Sequence, residues 1–143
     1  MSQLQGWGIT ILRIVTATVF LMGGVEKLFI EGPHNTVGLL VGLGSPSPLA
    51  FAIGVALVEL LCGLALLVGL FTRYFSIPLA LGMLVDILFI HGPNGFFIHS
   101  GGYEYALLRF AASVALILAG PGKAALDNAL APRKRTRYSR LSD

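Results

Sequence analysis

Four long apolar stretches, separated by short runs of proline, glycine and polar residues, dominate the order of residues along the chain. They cover about residues 8–30, 49–71, 74–91 and 103–120. A helix that crosses the hydrocarbon core of a bilayer needs roughly 20 mostly apolar residues, whereas transmembrane strands alternate over about ten residues. The sequence shows no such alternation. The pattern therefore predicts an all-α polytopic membrane protein whose four helices form a transmembrane bundle.

Proline and glycine mark the boundaries of these stretches, because neither residue continues a helix without loss of stability. The breaks are Gly32-Pro33, Ser45-Pro46-Ser47-Pro48, Gly92-Pro93-Asn94-Gly95 and Gly120-Pro121-Gly122. A further apolar run, residues 36–43, lies between the first and second stretches. It predicts either a short interfacial or re-entrant helix or an apolar loop packed on the bundle.

The composition changes this picture only by excluding other classes of protein. Of the 143 residues, 55% are hydrophobic and 12% are charged, whereas soluble domains are about 25% charged. A chain of this size in water would leave much of that apolar surface exposed. An ordinary cytosolic enzyme, a disordered protein and a nucleic-acid-binding domain are therefore excluded, and the expected partner is the lipid bilayer.

Lysine and arginine are distributed unevenly between the predicted loops, and that asymmetry predicts the orientation. Arg13 lies near the start of the first span, Arg73 lies in the second loop, and the first and third loops contain neither residue type. Six more cations follow the last span: Lys123, Arg133, Lys134, Arg135, Arg137 and Arg140. The protein is therefore predicted to lie in a cell inner membrane with both termini on the cytoplasmic side. Arg13 and Arg73 are predicted to reach the lipid headgroups.

The same charges divide the chain into two parts. Residues 1–123 are predicted to form the transmembrane domain, and residues 124–143 a mobile, basic cytoplasmic tail that is attracted to anionic lipid. The beginning of the chain lacks the basic region and cleavage site of a secretory signal. The first span is therefore predicted to remain in the protein.

An internal repeat links the first and third spans at an offset of 60 residues. Residues 25–33 and 85–93 are identical at six of nine positions, and Glu26 is matched by Asp86. Because both spans cross in the same direction, the prediction is two parallel helical hairpins related by an axis along the membrane normal. The alternative is a chance similarity between two apolar helix ends that are each followed by Gly-Pro.

The charges within the spans collect in the outer half of the predicted bundle. Glu59 is near mid-membrane, and Arg109 lies roughly 9 Å below the outer end of its helix at about 1.5 Å per residue. Charges inside a bilayer usually face the bundle interior with a partner, so Glu59 with Arg109 is the favoured pair. Glu26 or Asp86 paired with Lys27 or Arg109 is the alternative.

These charges and the polar groups of the third loop form the candidate ligand-binding site, for a quinone headgroup or for proton exchange. The candidate residues are Glu26, Lys27, Glu59, Asp86, His91, Asn94, Glu104 and Arg109. No residue is assigned a catalytic role. The competing interpretation is a structural polar network that holds the two hairpins in register.

Metal and cysteine chemistry have little support in the sequence. The single cysteine, Cys62, allows no internal disulfide and favours a small buried hydrophobic side chain. The three histidines, His34, His91 and His99, lack a recognised ligand spacing, so no metal site is predicted.

Several sequence runs carry a resemblance that covers about residues 8–123. They are Leu12-Arg13, Gly24-Val25-Glu26-Lys27-Leu28-Phe29, Val58-Glu59-Leu60, Gly69-Leu70-Phe71-Thr72-Arg73, His91-Gly92-Pro93-Asn94-Gly95-Phe96-Phe97 and Gly101-Gly102-Tyr103-Glu104-Tyr105-Ala106. In these runs the chain resembles the DoxX family of small four-helix membrane proteins. The resemblance implies a link to thiosulfate:quinone oxidoreductase and to membrane oxidoreductase complexes of thiol and oxidative stress.

Two positions limit what the resemblance implies. The family often has a histidine where this chain has Gly23, so chemistry that depends on that histidine would be absent or modified here. The single Cys62 argues against a cysteine-based sulfur transfer within this chain alone.

Three functions remain as hypotheses at this point. The first is a quinone-linked membrane oxidoreductase subunit in sulfur, thiol or oxidative-stress chemistry, with a bound quinone and no covalent cofactor. The second is a non-catalytic anchor for a soluble redox enzyme that docks on the tail or the outer loops. The third is a small proton-coupled carrier, which would need a homo-oligomer because four helices are few for alternating access.

Overall fold

The protein was analysed as a computed structural model, which describes residues 2–32, 34–42, 44 and 46–130. These residues are helical with connecting turns, and the described part of the chain contains no strand. The α-helices are α1 (Gln3–Val25), α2 (His34–Gly42), α3 (Pro48–Val68), α4 (Thr72–Val85), α5 (Glu104–Ala119) and α6 (Leu126–Leu130). The predicted all-α class is confirmed.

Two of the long helices widen into a π-helical turn at their C-terminal ends. Helix α1 continues into the first π-helical turn (Glu26–Ile30), and α4 continues into the second (Asp86–His91). Each turn begins at the acidic residue that the two repeated sequence motifs align. The motifs therefore share a local backbone structure, while the symmetry of two whole hairpins stays a prediction.

Three helices within the described residues are long and apolar enough to cross a membrane. They are Gln3–Ile30, Pro48–Val68 and Thr72–Asn94. Helix α5 has 16 residues, so it spans about 24 Å against a hydrocarbon core of about 30 Å. The fourth crossing and the orientation of the bundle therefore stay predictions.

The helices pack as two close pairs, α1 on α3 and α4 on α5. Glycines bring the backbones of α1 and α3 together, because a Cβ atom at Gly24 would lie 2.8 Å from the amide nitrogen of Leu60. A Cβ atom at Gly63 would likewise lie 2.8 Å from the amide nitrogen of Leu21. The core between the pairs is filled by the buried side chains of Phe20, Leu66, Leu79 and Leu116.

Helix α2 covers the apolar run that follows the first π-helical turn. Of the two alternatives predicted for residues 36–43, the structure shows the short helix, which packs against α3. Whether this helix lies in the interface or re-enters the membrane stays a prediction.

At the opposite end of the bundle, the segment after α5 folds back against α1. Arg13 is 2% exposed, and its Nη1 and Nη2 atoms donate hydrogen bonds to the carbonyl oxygens of Pro121 (2.5 Å) and Ala124 (2.6 Å). The prediction that Arg13 reaches the headgroups was wrong, because these two carbonyls enclose its guanidinium group.

Helix α6 belongs to this folded-back segment and is hydrogen-bonded to the start of α4 through Asp127. The Asp127 carboxylate accepts hydrogen bonds from the backbone amides of Phe71 (2.6 Å) and Thr72 (3.0 Å). Phe71 has a left-handed φ of 45°, and the carboxylate pairs two of the free amides at the beginning of α4. The rest of the predicted basic tail, residues 131–143, lies outside the described residues.

Candidate functional site

Glu59 is the centre of a buried charge cluster that includes Lys27 of the first π-helical turn and Arg109 of α5. Its side chain is 4% exposed. Lys27 Nζ, on the first π-helical turn, donates a hydrogen bond to Glu59 Oε1 at 2.7 Å. Arg109 Nη2, on α5, lies 4.0 Å from Glu59 Oε2. The predicted pair of Glu59 with Arg109 is therefore present at the longer distance, and Lys27 is the closer partner.

Arg109 is in contact with two aromatic rings. Its guanidinium carbon lies 4.2 Å from the ring centroid of Phe20 and 5.3 Å from that of Tyr105. Such cation–π contacts stabilise a desolvated guanidinium group. Its in-plane donors Nε and Nη2 are buried, and neither has a hydrogen-bond partner. The rings therefore fix the group while leaving donors available.

The cluster has an unsatisfied acceptor beside these unsatisfied donors. Glu59 Oε2 is buried and has no hydrogen-bond partner. A Cβ atom at Gly23 would lie 3.1 Å from that oxygen, so the absence of a side chain there keeps α1 clear of the gap between Glu59 and Arg109. With one carboxylate between two cations, the ionised cluster carries a formal charge of +1. Buried polar groups without partners carry a free-energy penalty that a suitable ligand would relieve.

A cavity of about 900 Å³ opens onto this cluster. It lies between α3, α4 and α5, and its surface is mostly apolar. Gly54 on α3 and Gly82 on α4 both line it, and a Cβ atom at either would meet no atom within 4 Å. The size is at the upper end of the roughly 300–1,000 Å³ of small-molecule sites, which are typically apolar with a few polar groups.

A second polar group lines the same cavity from the second π-helical turn. His91 Nδ1 lies 3.2 Å from Asp86 Oδ1, which is within ion-pair distance if the imidazole is protonated. The side chains are 36% and 22% exposed, respectively. Asp86 therefore lies closest to His91, and not to Lys27 or Arg109 as in the alternative considered from the sequence, although His91 Nδ1 is buried and makes no hydrogen bond.

The remaining three candidate residues do not line the cavity. Glu26 is exposed, and its carbonyl oxygen accepts a hydrogen bond from the amide of Glu31. The Asn94 side chain donates to the carbonyl of Gly101, and the Glu104 carboxylate accepts from the amide of Ile98. Asn94 and Glu104 thus stabilise the conformation of the loop between the second π-helical turn and α5.

Sequence reasoning missed four residues of the site. Tyr105 could have been found, because it precedes Arg109 by one helical turn and therefore shares its face of α5. Phe20, Gly54 and Gly82 gave no such signal. An aromatic residue and two glycines are common in apolar helices, and only the packing of the helices brings these three to the cavity.

The described residues contain no group of three or more histidine, cysteine, aspartate or glutamate side chains arranged to hold a metal ion. Cys62 is a buried free thiol.

These features define a small helical membrane protein with a charged cluster at an apolar cavity. The family model of DoxX matches residues 8–92, which is more than half of the chain. The chain belongs to the DoxX family, whose members are small membrane proteins. The expected resemblance is thus confirmed.

Three relatives extend the similarity beyond the matched segment. A Haemophilus influenzae protein, described only as "Uncharacterized protein", is 32% identical over 90% of this chain and 94% of its own length. A Mycobacterium tuberculosis "Uncharacterized membrane protein" is 30% identical over 85% of this chain and 80% of its own. The Bacillus subtilis "Putative oxidoreductase CatD" is 30% identical over 84% of each chain. No solved structure matches the chain.

Proposed function

We propose that the protein is a quinone-linked membrane oxidoreductase subunit whose cavity binds the quinone headgroup beside Glu59 and Arg109. The observation that carries the proposal is the pair of unsatisfied buried groups, Glu59 Oε2 and the Nε and Nη2 atoms of Arg109. They lie at a cavity with mostly apolar walls. A quinone in such a site would supply two-electron redox chemistry.

The unsatisfied donors and acceptor match the two redox forms of this ligand. Guanidinium nitrogens only donate hydrogen bonds, and an ionised carboxylate only accepts them. A quinone carbonyl oxygen accepts, so it can pair with Arg109. A quinol hydroxyl also donates, so it can in addition satisfy Glu59. The quinone would thus pair with Arg109 alone, whereas the quinol would satisfy both Arg109 and Glu59.

The walls of the cavity fit the apolar part of the ligand. Helices α3 and α4 belong to different close pairs, and the cavity extends between them past Gly54 and Gly82. Exposed apolar side chains such as Phe51 and Leu81 border the same region. In a bilayer this opening faces hydrocarbon, so a prenyl chain lies there while the headgroup reaches the charges.

The remaining parts of the proposal concern the membrane and the partner. Helix α5 is the fourth crossing, the two hairpins are parallel repeats, and both termini lie on the cytoplasmic side of an inner membrane. The loop distribution of lysine and arginine supports this orientation. The electron donor is a soluble redox partner in thiol or sulfur chemistry. The printed name of the Bacillus subtilis relative supports an oxidoreductase role.

The test is equilibrium binding of a short-chain ubiquinone analogue to the full-length protein in mild detergent. We expect Arg109→Leu to weaken binding of the analogue at least about tenfold in both its quinone and its quinol form, and Glu59→Gln to do so for the quinol form, because each removes a charge-assisted hydrogen bond to that form. Gly54→Leu is expected to weaken binding without touching a charge, because it fills the cavity. Gly8→Leu is the matched control, since Gly8 is also helical with open space around it but does not line the cavity.

Two outcomes would count against the proposal. The first is a wild-type protein that folds, as judged by its thermal transition, and binds no quinone. The second is binding that survives both charge substitutions and the cavity-filling substitution. If a soluble enzyme co-purifies with the non-binding protein, the membrane-anchor hypothesis replaces this one.

A further inference from the structure

The unsatisfied donor and acceptor of the charge cluster lie further apart than a hydrogen bond between them could span. Arg109 Nη2 is 4.0 Å from Glu59 Oε2, and both atoms are buried with no hydrogen-bond partner among the described residues. Hydrogen bonds from nitrogen to oxygen are about 2.7–3.2 Å long. Glu59 Oε1 is already engaged, because it accepts from Lys27 Nζ at 2.7 Å. The fold therefore leaves one donor and one acceptor side by side and unpaired.

The space beside these two atoms is not filled by another side chain of the described residues. A Cβ atom at Gly23 would lie 3.1 Å from Glu59 Oε2 and 3.5 Å from Arg109 Nη2, and no other described atom outside its own helix would lie within 4 Å of it. Glu59 and Arg109 also both line the cavity. Room for one ligand oxygen therefore exists beside the donor and the acceptor together.

A single hydroxyl oxygen fits the separation of the two groups. Charge-assisted hydrogen bonds are about 2.6 Å long from a hydroxyl to a carboxylate and about 2.8 Å from a guanidinium nitrogen to an oxygen. An oxygen at these distances from Glu59 Oε2 and Arg109 Nη2 closes a triangle on their 4.0 Å separation, with an angle of about 95° at the ligand oxygen. A hydroxyl can donate and accept at the same time, so a quinol hydroxyl can pair with both groups.

A quinone carbonyl oxygen in the same position satisfies only one of the two groups. It accepts from Arg109, but it has no hydrogen to donate, and its lone pairs would face those of the ionised Glu59 carboxylate. Glu59 Oε2 then stays buried and unpaired, which carries a free-energy penalty that the quinol avoids. The two redox forms of one ligand therefore differ in their contact with Glu59.

We infer that Glu59 makes the site selective for the reduced ligand, so that a quinol binds more tightly than the corresponding quinone. The inference rests on the proposed quinone site and specifies the redox form that this site favours. Glu59 is the specificity-determining residue, because its Oε2 atom distinguishes a hydroxyl from a carbonyl. Lys27 is a positioning residue, since it holds the other carboxylate oxygen and leaves Oε2 beside Arg109.

This selectivity has a consequence for the direction of electron transfer. Reduction of a quinone to a quinol adds two electrons, which the soluble redox partner supplies, and two protons from the medium. A site that binds the quinol more tightly makes the bound quinone easier to reduce than the free quinone, by the thermodynamic linkage between binding and the equilibrium. The favoured direction at this site is therefore from the redox partner into quinone.

The experiment measures the dissociation constants of the quinone and quinol forms of one short-chain ubiquinone analogue, with the full-length protein in mild detergent and without oxygen. We expect the wild type to bind the quinol at least about tenfold more tightly, the effect of one charge-assisted hydrogen bond. A tenfold ratio corresponds to about 30 mV for a two-electron couple. Redox titration should therefore place the midpoint potential of the bound analogue above that of the free analogue by about this amount or more.

Two substitutions in the cluster should change this ratio differently. Glu59→Gln should nearly abolish the preference, because the amide can also donate to a quinone carbonyl. Arg109→Leu should weaken binding of both forms and keep the preference, because Glu59 still accepts from the hydroxyl. A purely structural role of Glu59 would instead lower both affinities together and leave the ratio unchanged. Glu26→Gln is the matched control with the wild-type ratio, since Glu26 is exposed and does not line the cavity.

Three outcomes would count against the inference, and they separate its failure from that of the proposed function. Equal wild-type affinities for the two forms would overturn the selectivity and leave the quinone site standing, even if Glu59→Gln did not fold. A preference that persists in folded Glu59→Gln would assign the selectivity to another acceptor of the lining, such as Asp86. A folded wild type that binds neither form would overturn the proposed function together with this inference.

Discussion

Arg13 is buried and Arg109 is mostly buried, both in apolar helices, but the protein satisfies them in different ways. Two nitrogens of Arg13 donate to backbone carbonyls at 2.5 and 2.6 Å, and its Nε is buried without a partner. Arg109 is in contact with two rings, and its Nη2 lies 4.0 Å from Glu59 Oε2, with Nε and Nη2 unpaired. Burial alone therefore does not separate a structural charge from a functional one. The difference lies in how many donors the fold itself satisfies.

The largest effect on stability is expected at Arg13. Arg13→Ala leaves the carbonyls of Pro121 and Ala124 without their donors and releases the segment that carries α6, so we expect the free energy of unfolding to fall by about 3 kcal/mol. Thermal unfolding in detergent, followed by circular dichroism, measures the change. Arg13→Lys should recover only part of the loss, since one ammonium group replaces the two-nitrogen fork. If Arg13→Ala unfolded at the same temperature as the wild type, Arg13 would have no structural role and the comparison with Arg109 would fail.

An intermediate effect is expected at Asp127, which belongs to the same end of the molecule as Arg13. Asp127→Ala removes the acceptor of the Phe71 and Thr72 amides at the start of α4, and losses of this kind are about 1 kcal/mol. The same unfolding measurement applies, and quinone affinity should stay unchanged because Asp127 does not line the cavity. A loss of quinone affinity without a loss of stability would show that the end of the bundle with Arg13 and Asp127 influences ligand binding in the cavity.

The smallest effect on stability is expected at Arg109. Arg109→Leu keeps the Lys27–Glu59 pair and replaces the guanidinium by an apolar group beside two rings, so the free energy of unfolding should change by about 0.5 kcal/mol. The same variant should lose quinone affinity, as stated above. If Arg109→Leu destabilised the protein as much as Arg13→Ala, both arginines would be structural.

The sequence predicted the Glu59–Arg109 pair because each residue is isolated among apolar side chains in its own stretch. It did not identify Lys27 as the closer partner, since that contact depends on how α1 and α3 pack through Gly24 and Gly63. No local pattern indicates how two helices are rotated against each other.

Arg13 shows a second limit of sequence reasoning. Its place near the beginning of a span predicted contact with headgroups, yet its partners are 108 and 111 residues further along the chain. They belong to a segment of glycine, proline and small residues that has no periodicity to predict its position. The all-α class, in contrast, followed from the long apolar stretches themselves, because those can satisfy their backbone groups in lipid only as helices.

The two π-helical turns determine in which direction the chain leaves the C-terminal ends of α1 and α4. The number of residues in each turn fixes that direction. A π-helical turn holds one residue more than an α-helical turn, and each residue corresponds to about 100° of rotation. Deletion of one residue within Asp86–His91 would let α4 continue as a regular helix and swing everything beyond it around the helix axis. The loop of residues 92–103, between the second π-helical turn and α5, would then face another direction. The other charged side chains would all still be present in the chain.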